Sequence, residues 1–361
     1  MSRTPGLLSI SSFPNPFPGN PYLTLLYSSL EEFDCSYVQS GYFGQEWLRE
    51  NSGAIDYLHF HWVGGYYENA KGKNSFLRLA EFLGKLWFAR LLGYRIIWTA
   101  HNLYPHNRQR DWKSWLFRFL FVHSVNIVFV NFEKARNDFA RIFKRRSGVF
   151  VIAHGNYRTT YPEIPSQDDS RKALGLADHE FVYFLFGGIS PYKGPHTAIR
   201  SFATFDSAET RLVIKGQCLL PHYVEQLKGM AESDRRIDLQ LGLDDVADPE
   251  VCQWMSAIDC VVAPYEDIYT SGMVYLAATF GKPMIAPRLG VCAELENEGF
   301  MFLYDPARVD KELTECMARV LRANREEIAK AATRFADRHE WSDIAREAAS
   351  ILKADHDRSQ G

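Results

Sequence analysis

Two turns in the second half of the chain carry residue types suited to holding an anion. Cys260 to Ala263 reads as an apolar strand. It feeds the polar turn Pro264-Tyr265-Glu266-Asp267-Ile268-Tyr269-Thr270-Ser271-Gly272-Met273. Thr270 or Ser271 can cap the helix that follows, and Gly272 lets its first turn approach a ligand. Free amides and the positive end of the helix dipole favour phosphate at such a place. Upstream, Gly187-Gly188-Ile189-Ser190-Pro191-Tyr192-Lys193-Gly194 follows the strand-like run Phe181 to Phe186 and enters a helix near His196 to Phe205. Its glycines admit backbone amides to a phosphate, and Lys193 adds a point charge. The spacing Gly-x-x-x-x-Gly-Lys-Ser/Thr is absent, so this is not a Walker loop. Taken singly, Thr-Ser-Gly before a helix is equally the signature of an ordinary cap.

The first half offers histidines at strand ends. Ala54 to Phe60 reads as a strand ending in His59-Phe60-His61-Trp62, and alternation places His59 and His61 on one face. No third ligand with suitable spacing follows, so a metal is not expected. Tyr94 to Thr99 delivers Thr99-Ala100-His101-Asn102-Leu103-Tyr104-Pro105-His106, and Val149 to Ala153 delivers His154-Gly155-Asn156-Tyr157. Each histidine is either a proton-transfer group or a satisfied structural side chain.

The elements that must position these residues alternate between strand and helix. Leu7 to Ser11 opens the chain as a strand and runs into the proline-rich loop Phe13 to Tyr22, which leads into a helix over about Pro21 to Leu30. Helix Phe76 to Leu92 stops at Gly93, and Val125 to Val130 is a further strand. Tyr161 to Asp169, with two prolines and three acids in its polar run, reads as a linker. After it the pattern restarts, with strands at Arg211 to Lys215, Ile237 to Leu241, Met284 to Ala286 and Phe300 to Tyr304. Helices are expected at about Lys311 to Ala323 and Arg325 to Arg338, and a last one at Trp341 to Leu352 precedes a polar tail. Doubly wound α/β domains are built this way, and their ligands meet loops at the carboxyl ends of strands.

Composition fits two such domains. The chain has 361 residues, 46% hydrophobic and 24% charged, with a net charge of −3. That balance excludes a globally basic nucleic-acid binder, and no nucleic-acid motif is present. Charge is nonetheless uneven: Lys71 to Arg118 holds ten Lys or Arg against Glu81 and Asp111, a local +8 that leaves −11 elsewhere. The same stretch carries Trp112, Trp115 and Phe117, so it forms either a basic aromatic face for an anionic bilayer or a core with solvated charges. Six cysteines without metal or Cys-x-x-Cys spacing read as reduced thiols of a cytosolic protein. Neither a signal peptide nor a membrane-spanning run is evident.

Together these marks resemble the two-domain GT-B glycosyltransferases. The resemblance rests on Ser190-Pro191-Tyr192-Lys193-Gly194, on Pro264-Tyr265 followed by Thr270-Ser271-Gly272, and on Phe280-Gly281-Lys282-Pro283. Asn20-Pro21-Tyr22, the three histidine stretches and Pro105-His106 add to it in the expected order. Glycosyltransferase family 4 and the bacterial exopolysaccharide β-mannosyltransferases of the xanthan type are the nearest likenesses. They imply two Rossmann-like doubly wound domains facing a cleft. Residues 1–160 would form the acceptor-side domain, completed by a C-terminal helix at 340–361, and residues 161–339 the nucleotide-sugar domain.

The resemblance implies transfer of a hexose from a nucleotide sugar, GDP-mannose first and a UDP-sugar second, to a polyprenyl-diphosphate-linked saccharide. It implies no metal or other cofactor and a peripheral position on the inner face of the plasma membrane. Gly187, Gly188, Lys193, Thr270, Ser271 and Gly272 would bind the donor phosphates, and Lys215, Tyr265, Glu294 and His154 its sugar or nucleoside. Asn20, His59, Asn102 and His106 would meet the acceptor, with His101 first and His61 second as general base. Retaining family 4 enzymes carry two glutamates separated by seven residues across the second turn. Ile268 and Leu276 stand there in this chain, and Gly188 replaces a common arginine. That departure favours inversion. Other readings are a retaining transferase with a displaced acid, a sugar-nucleotide epimerase or hydrolase of the same fold, and a non-catalytic scaffold.

Overall fold

The computed structural model describes residues 6–69, 73–104 and 112–360. It divides into two compact units, residues 1–155 with 339–361, and residues 156–338.

The first unit is built on a parallel sheet of β1 (Leu8–Phe13), β2 (Cys35–Tyr37), β3 (Tyr57–Phe60), β4 (Arg95–Thr99), β5 (Ile127–Val130) and β6 (Val149–Val151), ordered β2-β1-β3-β4-β5-β6. β3 and β5 are buried along their whole length, as expected of strands covered by helices on both faces. The strand order reverses between β1 and β3, and the loops leaving these two strands and β4 carry Asn20, His61 and His101. The helix Trp341–Gln360 belongs to this unit and packs on the helix Tyr22–Glu31. Its apolar positions Trp341, Ile344, Ala345, Ala348, Ala349 and Leu352 recur at the helical period, and all are buried. Tyr57 donates to Leu352 O at 2.9 Å, and Arg95 pairs with the buried carboxylate of Asp355, so the polar end of this helix is anchored too. That anchoring extends the helix through residues read from sequence as a tail.

The second unit holds β7 (Phe181–Phe186), β8 (Thr210–Gln217), β9 (Ile237–Gly242), β10 (Cys260–Val262), β11 (Met284–Pro287) and β12 (Met301–Tyr304), all parallel and ordered β12-β11-β10-β7-β8-β9. This is the doubly wound order of dinucleotide-binding folds, with its switch point between β7 and β10. The amino end of β10 is fixed by buried Asp259, which accepts from Arg171 at 2.7 Å and pairs with Arg325 at 3.0 Å.

The units divide at Gly155/Asn156, upstream of the predicted linker. Asn156 donates to Ala336 O at 3.0 Å and Tyr157 N donates to Thr279 Oγ1 at 3.0 Å, which commits both residues to the second unit. The predicted linker already contains the start of the helix Gln167–Leu174, capped by Ser166.

Candidate active site

The two anion-type turns lie at the carboxyl ends of β7 and β10, on either side of the second unit's switch point. They are joined directly, since Glu266 N donates to Tyr192 O at 2.8 Å. Gly194, at φ +70°, sits so close to Pro264 that a Cβ would meet its carbonyl oxygen at 2.0 Å. Only glycine fits there, and its absence of side chain lets the loops touch. A second contact brings the turn Gly290–Leu295 against the same loop, where Val291 N donates to Tyr269 O at 2.9 Å.

Lys193 folds back over the glycine turn. Its Nζ lies 3.5 Å from where a Cβ at Gly187 would stand and 3.9 Å from the corresponding point at Gly188. Burial pushes its ammonium below the usual lysine value. Among the described residues no side chain pairs with it. A cation taken out of water without a counter-ion is destabilising, and an incoming anion relieves that cost. Across the switch point, Ser271 caps the helix Gly272–Thr279, its Oγ accepting from Met273 N at 3.2 Å, with the Tyr265 hydroxyl 3.4 Å from the same oxygen. Thr270 and Gly272 flank this cap and are half-buried.

Lys215 differs from expectation. At the end of β8 it is paired with Glu250 at 2.7 Å and donates to Gln240 Oε1 at 3.1 Å, so its charge is neutralised within the unit. What it offers is an oriented ammonium at the wall of a cavity of about 390 Å³ that Gln240, Asp244, Asp245 and Glu250 also line. Glu294 is exposed in the turn Gly290–Leu295. A pair that sequence reasoning did not single out lies beside the first turn. His196 sits 3.0 Å from Glu266 through Nε2 and 2.7 Å from the Tyr223 hydroxyl through Nδ1.

In the first unit the histidines come together. His59 and His61 share a face, with ring centroids 4.2 Å apart. The Tyr27 hydroxyl bridges them, 2.8 Å from His59 Nδ1 and 2.9 Å from His61 Nε2. His59 Nε2 continues to Thr99 Oγ1 at 2.7 Å, and His61 Nδ1 to His101 Nε2 at 3.1 Å. His101 stacks on Trp62 at 4.7 Å, and Tyr22 packs edge-on against it at 5.0 Å. His154 lies 4.9 Å from Tyr22 and 5.7 Å from Trp341, its Nδ1 donating to Gly155 O at 2.7 Å. Burial holds these imidazoles neutral. His59 and His101 are pushed down to about 3, His154 to about 4, and His61 well below its usual value.

This geometry separates the predicted residues. His59 and His61 are 1% exposed with both ring nitrogens engaged, so neither reaches a ligand directly, and they have no nitrogen left for a metal. His101 is buried at 9% exposure and is followed by half-buried Asn102. Asn20 Oδ1 accepts from Tyr22 N at 3.2 Å and so starts the helix Tyr22–Glu31. His154 belongs to the first unit, near His101. His106 lies outside the described residues. Tyr22, Tyr27 and Thr99 were not anticipated. The available signal was tyrosine among leucines in the first helix after β1, where a polar tip needs a buried partner.

The sequence profile of the family described as "Glycosyl transferases group 1" matches residues 166–347, half of the chain. The chain belongs to this family. Among curated proteins, this group 1 glycosyltransferase is similar to GDP-mannose:glycolipid 4-beta-D-mannosyltransferase of Xanthomonas campestris pv. campestris. The two are 27% identical over 291 residues, 79% of this chain and 76% of that protein. Among solved structures, Anabaena HepE in complex with UDP and glucose superposes with a TM-score of 0.72 at 19% identity, covering 96% of this chain and all of that one. Sucrose-phosphate synthase from Thermosynechococcus elongatus gives 0.70 at 14% identity over 96% and 98%. These likenesses show the GT-B fold, and the family match makes the chain a glycosyltransferase.

Proposed function

We propose that this glycosyltransferase moves mannose from GDP-mannose to a lipid-linked saccharide with inversion at the anomeric carbon. The observation that carries the reading is Lys193, an ammonium without a paired side chain among the described residues, folded over Gly187 and Gly188 at the switch point. A nucleoside diphosphate supplies the missing anion. In the transition state its charge grows as the glycosidic bond breaks, and Lys193 with the Ser271-capped helix end stabilises that charge without a metal. Support for mannose and for a glycolipid acceptor comes from the name of the Xanthomonas relative. Support for inversion comes from Ile268 and Leu276, both buried apolar side chains where a retaining enzyme of the resembling family carries glutamates. His101 then acts as the base that takes the acceptor hydroxyl's proton.

A lipid-linked acceptor requires a surface that meets the bilayer. On the helix Phe76–Leu91, Leu77, Ala80, Gly84, Trp87 and Leu91 form a second apolar stripe opposite the buried one, and Leu77 is 80% and Trp87 65% exposed. The adjoining helix Trp112–Ser124 adds Trp112, 64% exposed, and Lys113, with Arg90 flanking the exposed stripe beside Trp87. Interfacial helices combine apolar and basic residues in this way. No helix among the described residues is long and apolar enough to cross a membrane.

Calorimetric titration of GDP, UDP and ADP into the wild type and Lys193→Ala tests the donor assignment. Tighter binding of GDP by the wild type, weakened at least about tenfold in the variant, is expected for a lost charge-assisted contact. Equal affinity of the two proteins for GDP would remove Lys193 from the donor site.

A further inference from the structure

The helix Trp112–Ser124 turns a face made of Ser114, Phe117, Arg118, Phe121 and Val122 to the core. Phe117, Phe121 and Val122 are what such a face needs, and Arg118 is not. It is 3% exposed, and its Nε is enclosed without a hydrogen-bond partner. Among the described residues no carboxylate pairs with the guanidinium and no oxygen accepts from it. Two rings lie against it instead, with Cζ 4.8 Å from the centre of Trp98 and 5.9 Å from that of Tyr67. Aromatic faces attract a cation but satisfy none of its N–H groups, and they return only part of what its burial costs. Nη1 and Nη2 are not enclosed, so the surface the residue keeps lies at its fork, the edge that grips a pair of phosphate oxygens.

The other buried arginines show what a structural role looks like. Arg145 donates to Ser147 O at 3.2 Å, Val125 O at 3.0 Å and Asn126 O at 2.7 Å. Arg171 donates to Ala257 O at 3.0 Å and to the Asp259 carboxylate at 2.7 Å. Arg118 has no such partner within its unit.

Its surroundings say what the missing anion belongs to. On one flank, Trp98 Nε1 donates to His61 O at 2.9 Å, and the His61 ring reaches His101 at 3.1 Å. On the other, Tyr67 O accepts from Ser75 N at 2.9 Å, and Ser75 caps the helix Phe76–Leu91. Phe76, 51% exposed, begins the outer apolar surface of that helix, and its ring lies 4.8 Å from Phe117, the neighbour of Arg118 in the chain. Arg118 therefore stands between the loops that carry the histidines and the helix that carries the exposed Leu77 and Trp87. Saccharide, phosphate and lipid follow one another in the same order in a phosphate-linked glycolipid.

We infer that Arg118 binds the phosphate or diphosphate through which the acceptor's saccharide is joined to its lipid. The inference rests on the reading that the acceptor is lipid-linked. It narrows that acceptor to glycolipids with an anionic linkage, because a neutral one would leave the guanidinium without a counter-ion.

The test is calorimetry on the full-length protein with saturating GDP, which occupies the donor phosphate site. Farnesyl diphosphate, inorganic pyrophosphate and phosphatidylglycerol vesicles are titrated into the wild type, Arg118→Met and Arg118→Lys. The wild type should bind farnesyl diphosphate, Arg118→Met at least about tenfold more weakly, and Arg118→Lys in between. Without ligand, Arg118→Met should melt no lower than the wild type, since it loses an unpaired buried cation. A purely structural arginine would give the reverse, a lower melting temperature with unchanged affinity, and that result would overturn the inference. Should Arg118→Met fail to fold, Arg118→Lys decides, and wild-type affinity in it overturns the site. Pyrophosphate bound as tightly as farnesyl diphosphate would sever the link to a lipid. Vesicle binding lost in Arg118→Met with farnesyl diphosphate affinity intact would assign the arginine to a phospholipid headgroup instead. Transfer assays keep this inference apart from the donor reading. A wild type that binds farnesyl diphosphate through Arg118 but does not turn over GDP-mannose removes the mannosyl reading alone. A wild-type KM for a polyprenyl-diphosphate-linked saccharide in Arg118→Met removes this site alone.

Discussion

Acidification from pH 7.5 to 5 should unfold the first unit through its histidines. His59 and His101 are pushed down to about 3 and His154 to about 4 by burial, and His61 well below its usual value. In the unfolded chain each titrates near ~6.5. The folded values are the depressed ones, so between them and ~6.5 the unfolded chain binds more protons and stability falls as pH falls. The stabilisation is complete above the unfolded value and drains away below it. At pH 5 each histidine removes RT ln(1 + 10^1.5), about 2 kcal/mol. The folded state remains unprotonated there, so four such groups add to about 8 kcal/mol, comparable with the ~5–15 kcal/mol that holds a typical domain together. Urea unfolding followed by tryptophan fluorescence at half-unit pH steps measures this, with the transitions of the two units fitted separately. The first unit's midpoint should drop steeply below pH 6.5, and His154→Gln should make the dependence shallower by one proton. A midpoint that is the same at pH 7.5 and 5 would refute the neutral, buried histidine cluster.

Three further outcomes follow from the same geometry. Gly194→Ala should destabilise the second unit by ~1–3 kcal/mol, from strain at φ +70° and the clash with Pro264, and should weaken GDP binding; thermal melts with and without GDP read both. Ser271→Ala removes the cap on Met273 N and should cost ~0.5–2 kcal/mol of stability while weakening GDP binding in calorimetry. Leu77→Glu with Trp87→Glu should reduce sedimentation with phosphatidylglycerol vesicles severalfold and leave GDP affinity unchanged; equal sedimentation would remove this stripe as the membrane-facing surface.

Much of the fold was legible because parallel strands buried on both faces appear as continuous apolar runs, as in Phe181–Phe186 and Ile127–Val130. The anion turns were legible because glycine, serine and lysine have local reasons to stand where they do. What sequence could not supply were features fixed by tertiary contact. β2 has three residues, and the helix Gln45–Glu50 has six, too short for a period to register. The helix Glu133–Ile142 lies in a charged stretch with few apolar positions. Tyr27 reads as one more core aromatic until the sheet brings His59 and His61 to its hydroxyl. Lys215 was expected at the donor's sugar or nucleoside, and its partners Gln240 and Glu250 come to it only through β9 and the helix Asp248–Ala257.

The most direct test of the account is the anomeric configuration of the product. Transfer from GDP-mannose, an α-linked donor, to a polyprenyl-diphosphate-linked saccharide should give a β-mannoside, recognised by its one-bond C1–H1 coupling in the NMR spectrum. An α-mannoside would contradict inversion and return the catalytic role to an acid near Glu266 and Asp267. Consumption of GDP-mannose with no glycoside formed would contradict transfer to this acceptor altogether.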